Sequence, residues 1–152
     1  MSTQHHEIIG SWRIDLSPDA QPSVNRAMVA FGPGGILISS SPSVESFPLA
    51  EDGAINVSTG LGAWTQDGEG DIELGLLGQA TTSKGVLVGF GSMHATVRID
   101  RQGGAISGRY HFEIAGPDDI VFATEDGTVR GIRISATSPE RARYLPTAVA
   151  AT

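Results

Sequence analysis

The 152-residue chain sets 17 acidic against 10 basic side chains, a net charge of −7, and contains no cysteine. That balance opposes a phosphate backbone and supplies no polybasic patch for a membrane surface, which excludes nucleic-acid and membrane partners. The missing thiols exclude disulfides, thiolate nucleophiles and cysteine-ligated zinc.

Twenty glycines and eight prolines with only 18% charged residues describe a turn-rich β protein, long enough for one real core. Residues 1–7 form a polar lead, in which the His5–His6 pair is incidental. They carry no basic stretch followed by an apolar run, so a cytoplasmic protein is expected. The first strand spans 9–16, where Trp12, Ile14 and Leu16 alternate with Ser11, Arg13 and Asp15. A loop follows at 17–25, then a strand at 26–32 carrying Ala27, Val29 and Phe31. The Gly-Pro-Gly-Gly turn at 32–35 leads into a strand at 36–41. From 42 to 58 the alternation lapses apart from a short strand at 54–57. Long connections of this kind often cover sites, and Glu45 within it is placed to reach in as an acid or base.

A strand at 60–66 contains Trp64, and one at 71–80 puts Ile72, Leu74 and Leu76 on a single face. The acids Glu51, Asp52, Asp67, Glu69, Asp71 and Glu73 lack calcium-loop spacing and read as solvated turn charges, with Glu45 standing apart from them. Residues 85–116 are the clearest element, a long antiparallel hairpin turning at 100–104. Met93, Ala95, Val97 and Ile99 share one face of its first arm; Ile106, Tyr110, Phe112 and Ile114 share one face of its second. The opposite face carries His94, Thr96, Arg98, Ser107, Arg109, His111 and Glu113. The last strand reads as two pieces, 119–124 and 128–135, separated by a Glu-Asp-Gly turn at 125–127. Residues 136–152 follow as a tail or short helix.

The expected layout is a lead (1–7), a β-barrel domain (8–135) and a C-terminal tail (136–152). Its fold class is all-β, a single eight- to nine-stranded antiparallel barrel. A two-sheet sandwich is the alternative; the long hairpin arms and the glycines within strands favour closure.

Five segments carry a resemblance: Gly10-Ser11-Trp12, Phe31–Gly35, Gly60–Trp64, Ile106–Tyr110 and Gly127–Ile134. Together they resemble a group of small bacterial lipocalin-like barrels, similar at fold level to allene oxide cyclase and the barrel cyclases of polyketide pathways. In lipocalin-like barrels the Trp of Gly-x-Trp closes one end beneath a basic residue of the last strand. Arg130 or Arg133 would fill that part here. The motifs are structural, so the function they imply is an analogy.

An inward apolar face would place Trp12, Phe31, Trp64, Met93 and Phe112 around a bound molecule, with Tyr110 and the indole N–H groups orienting it. Tyr110 and Glu45 are then the candidate catalytic residues. Filling of the core by its own side chains is the competing reading. His94, His111 and Glu113 are the alternative polar set, suited to zinc or to a carboxylate-held base, and would enter the lumen if a bulge flipped the faces. Their neighbours mark a solvated outer wall, so neither a metal nor another cofactor is expected. The partner expected is a small hydrophobic molecule, with self-association into a homodimer allowed. A cofactor-free cyclase or isomerase is the leading function, a non-catalytic carrier the alternative. A barrel acting through its outer surface would need an exterior apolar patch, and none is legible.

Overall fold

Ten strands form one antiparallel sheet among the described residues, which are 7–41, 44–46 and 54–135 of a computed structural model, with the backbone alone for 44–46 and Ala54. The first half comprises β1 (Gly10–Pro18), β2 (Asn25–Phe31), β3 (Ile36–Ser40), β4 (Val44–Ser46) and β5 (Ala54–Val57). The second comprises β6 (Gly60–Gln66), β7 (Ile72–Thr81), β8 (Leu87–Ile99), β9 (Ala105–Ala115) and β10 (Val121–Arg133). Eight of them, β1-β2-β3-β6-β7-β8-β9-β10, pair in that order and close through β10 onto β1. Closure removes every sheet edge from the ring. The expected barrel is the fold. β4 and β5 make a hairpin outside the ring, held to the end of β7 by Asn56 opposite Thr81 and Val57 opposite Ala80.

Two elements differ from expectation. The connection at 42–58 contains β4 as well as the short strand at 54–57. Residues 125–127 are not a turn but lie within β10. Glu125, Asp126 and Gly127 stand opposite Phe112, His111 and Tyr110 in a ladder that runs unbroken from Ala123 to Ile132. Glu-Asp-Gly has turn chemistry, but the long β9 ladder pairs each of these residues and overrides it. The tail at 136–152 lies outside the described residues.

One parity on every barrel strand is buried: Trp12, Ile14, Val29, Phe31, Leu37, Trp64, Ile72, Val97, Ile106, Tyr110 and Val129 form a single cluster. Each large side chain so buried contributes roughly 1.5–3 kcal/mol. One end of this core is shut. Trp12 is fully buried and its indole N–H donates to the Ile8 carbonyl at 2.9 Å. Arg133, from the end of β10, lies over the Trp12 ring with its guanidinium carbon 4.3 Å from the centroid. Its Nε donates to Gly103 O and its Nη1 to Ile9 O, both at 2.9 Å, and Nη2 donates to Glu7 O. Of the two basic candidates, Arg133 therefore caps the tryptophan; Arg130 is exposed on the outer wall. Gly10 permits the cap. Its φ is 136°, and a Cβ there would stand 2.8 Å from Arg133 Nη1.

Candidate functional site

The turns 32–35, 67–71 and 100–104 lie at the shut end, and the loops 19–24, 82–86 and 116–120 at the other. Burial falls off between the two. Ile8, Trp12, Ile72 and Val97 near the shut end are essentially inaccessible, while the inward-facing Leu16, Ala27, Leu74, Leu76, Met93 and Phe112 are only partly buried. Toward the mouth these inward-facing side chains keep partial exposure, whereas Ala80 beside the β4–β5 hairpin is buried. The β4–β5 hairpin joins the barrel at this end, where Ile55 clusters with Ala80 and packs against Val57, Val88 and Ile114. Ala80 and Ile114 continue the inward parity of β7 and β9, so the hairpin seats against the mouth.

At the boundary between plug and mouth stands a polar pair of the inner wall joined by a direct side-chain hydrogen bond. The Tyr110 hydroxyl donates to Glu125 Oε1 at 2.7 Å. Tyr110 is 3% exposed and Glu125 is part-buried. Burial pushes the phenol well above its usual range, and the bond to Glu125 pushes it further. Tyr110 is thus a fixed neutral donor near pH 7. Neighbouring strands make room for the aromatic rings: Tyr110 lies across Gly127, and Phe112 across Gly91, whose added Cβ atoms would meet the rings at 2.5 and 2.8 Å.

Trp12, Phe31 and Trp64, expected to contact a bound molecule, are grouped in the plug. Phe31 and Trp64 meet edge to face at 6.1 Å. The indole N–H of Trp64 donates to Gly32 O at 3.0 Å and that of Trp12 to Ile8 O, so both indoles bond to backbone carbonyls. Met93, Tyr110 and Phe112 remain on the inner wall toward the mouth. The side chain of Glu45 lies outside the described residues. Glu125 escaped sequence reading because Glu-Asp-Gly was assigned to a turn. The signal that could have found it is the parity Glu125, Gly127, Val129, Gly131, which continues inward without interruption.

His94, His111 and Glu113 are on the outer wall. His94 stands opposite His111 across the hairpin. His111 contacts Asp126 Oδ1 through Nδ1 at 2.8 Å and Glu113 Oε1 through Nε2 at 3.2 Å. Among the described residues no three histidine or acidic side chains are arranged to hold a metal ion. The hydrogen bond to Asp126, then that to Glu113, raises the His111 pKa above its ordinary value. A raised folded-state pKa stabilises the protonated form. The contribution is complete below the unfolded histidine pKa and disappears as pH rises through the folded one. His111→Gln is therefore expected to lower the unfolding midpoint in mild acid and match the wild type at alkaline pH, as thermal unfolding across that range would show.

A hollow of about 380 Å³ on the outside of β1, β8, β9 and β10 is lined by Arg13, Asp15, Arg98, Ser107 and Arg130. Three arginines and the aspartates Asp15 and Asp100 line it, with Asp15 facing Arg130 across β1 and β10.

The geometry defines a closed eight-stranded antiparallel barrel, shut at one end by an arginine-capped tryptophan, with a tyrosine–glutamate pair in its wall. Comparison with protein-family models, curated proteins and solved structures finds no match to this chain. Among the described residues no helix is long and apolar enough to cross a membrane.

Proposed function

We propose that the barrel takes a small hydrophobic, polyketide- or terpenoid-like molecule into its mouth half and acts on it as a cofactor-free isomerase or cyclase. The observation that carries this reading is the Tyr110–Glu125 contact on the inner wall, with Tyr110 buried and Glu125 part-buried. A carboxylate in such a wall can remove a proton beside a substrate carbonyl. The phenol, held neutral, has one proton, and on substrate binding would turn it from Glu125 to the oxygen on which charge develops, leaving the carboxylate free to act as base. The partly buried Met93, Phe112, Leu74 and Leu76 supply an apolar surface that would hold a flexible chain in a reactive shape. Val24, Val86, Leu87, Ile120 and Val121 are exposed apolar side chains on or beside the mouth loops, which suits entry of an apolar guest. The resemblance to small bacterial barrels and to the barrel cyclases supports the same chemistry by analogy.

A carrier is the second reading. It is favoured by the fact that Tyr110 and Glu125 satisfy one another without a ligand, so the site is complete with no reaction to perform. Protein from its native host, examined by native mass spectrometry for a co-purified molecule, tests occupancy. Deuterium exchange beside the carbonyl of a panel of apolar cyclic ketones separates the two readings. The enzyme reading expects exchange in the wild type that Glu125→Gln lowers by about 10²–10⁴-fold while binding survives. Tyr110→Phe should cost roughly 0.5–1.5 kcal/mol in the same assay. Binding with no exchange in the wild type identifies a carrier, and absence of binding as well as exchange overturns both.

A further inference from the structure

The outer wall of the barrel is divided in two. The half formed by β8, β9, β10 and β1 presents charges such as Arg98, Arg109, Asp126, Arg130 and Asp15. The half formed by β2, β3, β6 and β7 presents Met28, Ile36, Ile38, Leu61 and Leu77, which are 45–64% exposed. The registers make these one surface. Ala30, Ile38, Leu61 and Leu77 stand side by side across four strands, with Ile36 beside Ala63 in the next row and Met28 at the flank. Four strands at roughly 4.8 Å spacing give an apolar strip about 14 Å across. A contiguous solvent-facing area of this kind marks an interaction site.

Its charged limits indicate the partner. Continuing outward, β2 ends the strip at Arg26 on the mouth side, and β7 ends it at Glu73 on the shut side. These are diagonally opposite corners. Arg26 is 70% exposed and forms an ion pair with Asp15, its Nε 3.4 Å from Oδ1 and outside hydrogen-bond geometry, so a partner's carboxylate can compete for it. Glu73 is exposed and forms no ion pair among the described residues.

The geometry points to a second copy of this chain as the occupant, related by a two-fold axis in the plane of the strip and perpendicular to the Arg26–Glu73 diagonal. That axis sets Arg26 of each protomer against Glu73 of its partner, forming both contacts at once, with the apolar rows between them. Self-complementarity is the condition an isologous interface must meet. An apolar centre with a polar rim is also the usual anatomy of such a contact.

Sedimentation equilibrium of the full chain tests the proposal. Wild type should show a reversible monomer–dimer equilibrium, and Leu61→Glu, which sets acids of both protomers in the apolar centre, should be monomeric with an unchanged circular dichroism spectrum. Arg26→Gln and Glu73→Gln should each weaken the dimer by about two- to five-fold per contact, and the double variant no more than either alone. A wild type that stays monomeric to millimolar concentration overturns the proposal, as does a dimer indifferent to Leu61→Glu. Additive losses in the Arg26/Glu73 cycle overturn the proposed pairing of protomers.

Discussion

Trp12→Ala should destabilise the barrel by about 3–5 kcal/mol, the largest loss expected of any single truncation here. The side chain is fully buried, so its removal leaves a cavity bounded by strands that cannot collapse without breaking the ring. The substitution also takes away the surface on which the Arg133 guanidinium lies and the donor that satisfies Ile8 O. Against a total stability of about 5–15 kcal/mol, such a loss removes a large share of the margin. Urea unfolding followed through the remaining Trp64 would measure it. Arg133→Lys should fail to restore the end cap, because a single ammonium cannot reproduce a planar fork that bonds to the carbonyls of Glu7, Ile9 and Gly103. A Trp12→Ala variant as stable as the wild type would show that the shut end contributes little.

Gly127→Ala is expected to cost about 1–3 kcal/mol and also to disturb the inner wall. An added Cβ would stand 2.4 Å from Ser17 O, a backbone atom fixed in the neighbouring strand, and 2.5 Å from the Tyr110 ring. Ser17 cannot yield without shifting β1, so the ring moves and the Tyr110–Glu125 bond is strained or broken. The expected signature is therefore double: a lowered unfolding midpoint, and a loss of ketone exchange beyond what the unfolded fraction explains. Gly104→Ala is the control. Nothing lies within 4 Å of its added Cβ, and its stability and exchange should match the wild type. Equal effects at the two glycines would mean that Gly127 is not a fitted contact.

Most of the ring was legible along the chain. Alternation at Trp12, Ile14 and Leu16, and on both arms of the 85–116 hairpin, is a property of residues two apart, and it assigned Tyr110 and Phe112 to the inner face. The Gly-x-Trp at the start of β1 implied an end cap only through its resemblance to lipocalin-like barrels. Half of the candidate dyad was readable in the same way: Tyr110 drew notice as a phenol on an apolar face.

Glu125 did not, because local composition at 125–127 is that of a turn. The glycine there serves a different need, room for a tyrosine ring carried by the adjacent strand, and no window of neighbouring residues contains that tyrosine. The exposed strip was hidden for a related reason. Ile36 and Ile38 flank a buried Leu37, and Met28, Leu61 and Leu77 each appear as lone apolar residues on separate strands. Only the registers of β2, β3, β6 and β7 set them side by side. Period-two patterning is encoded within each strand and survives without its neighbours. Which strand lies beside which, which arginine covers Trp12, and which carboxylate meets Tyr110 are settled by hydrogen-bonded closure of the whole ring, since a one-residue slip in any ladder would turn that strand's apolar face to water.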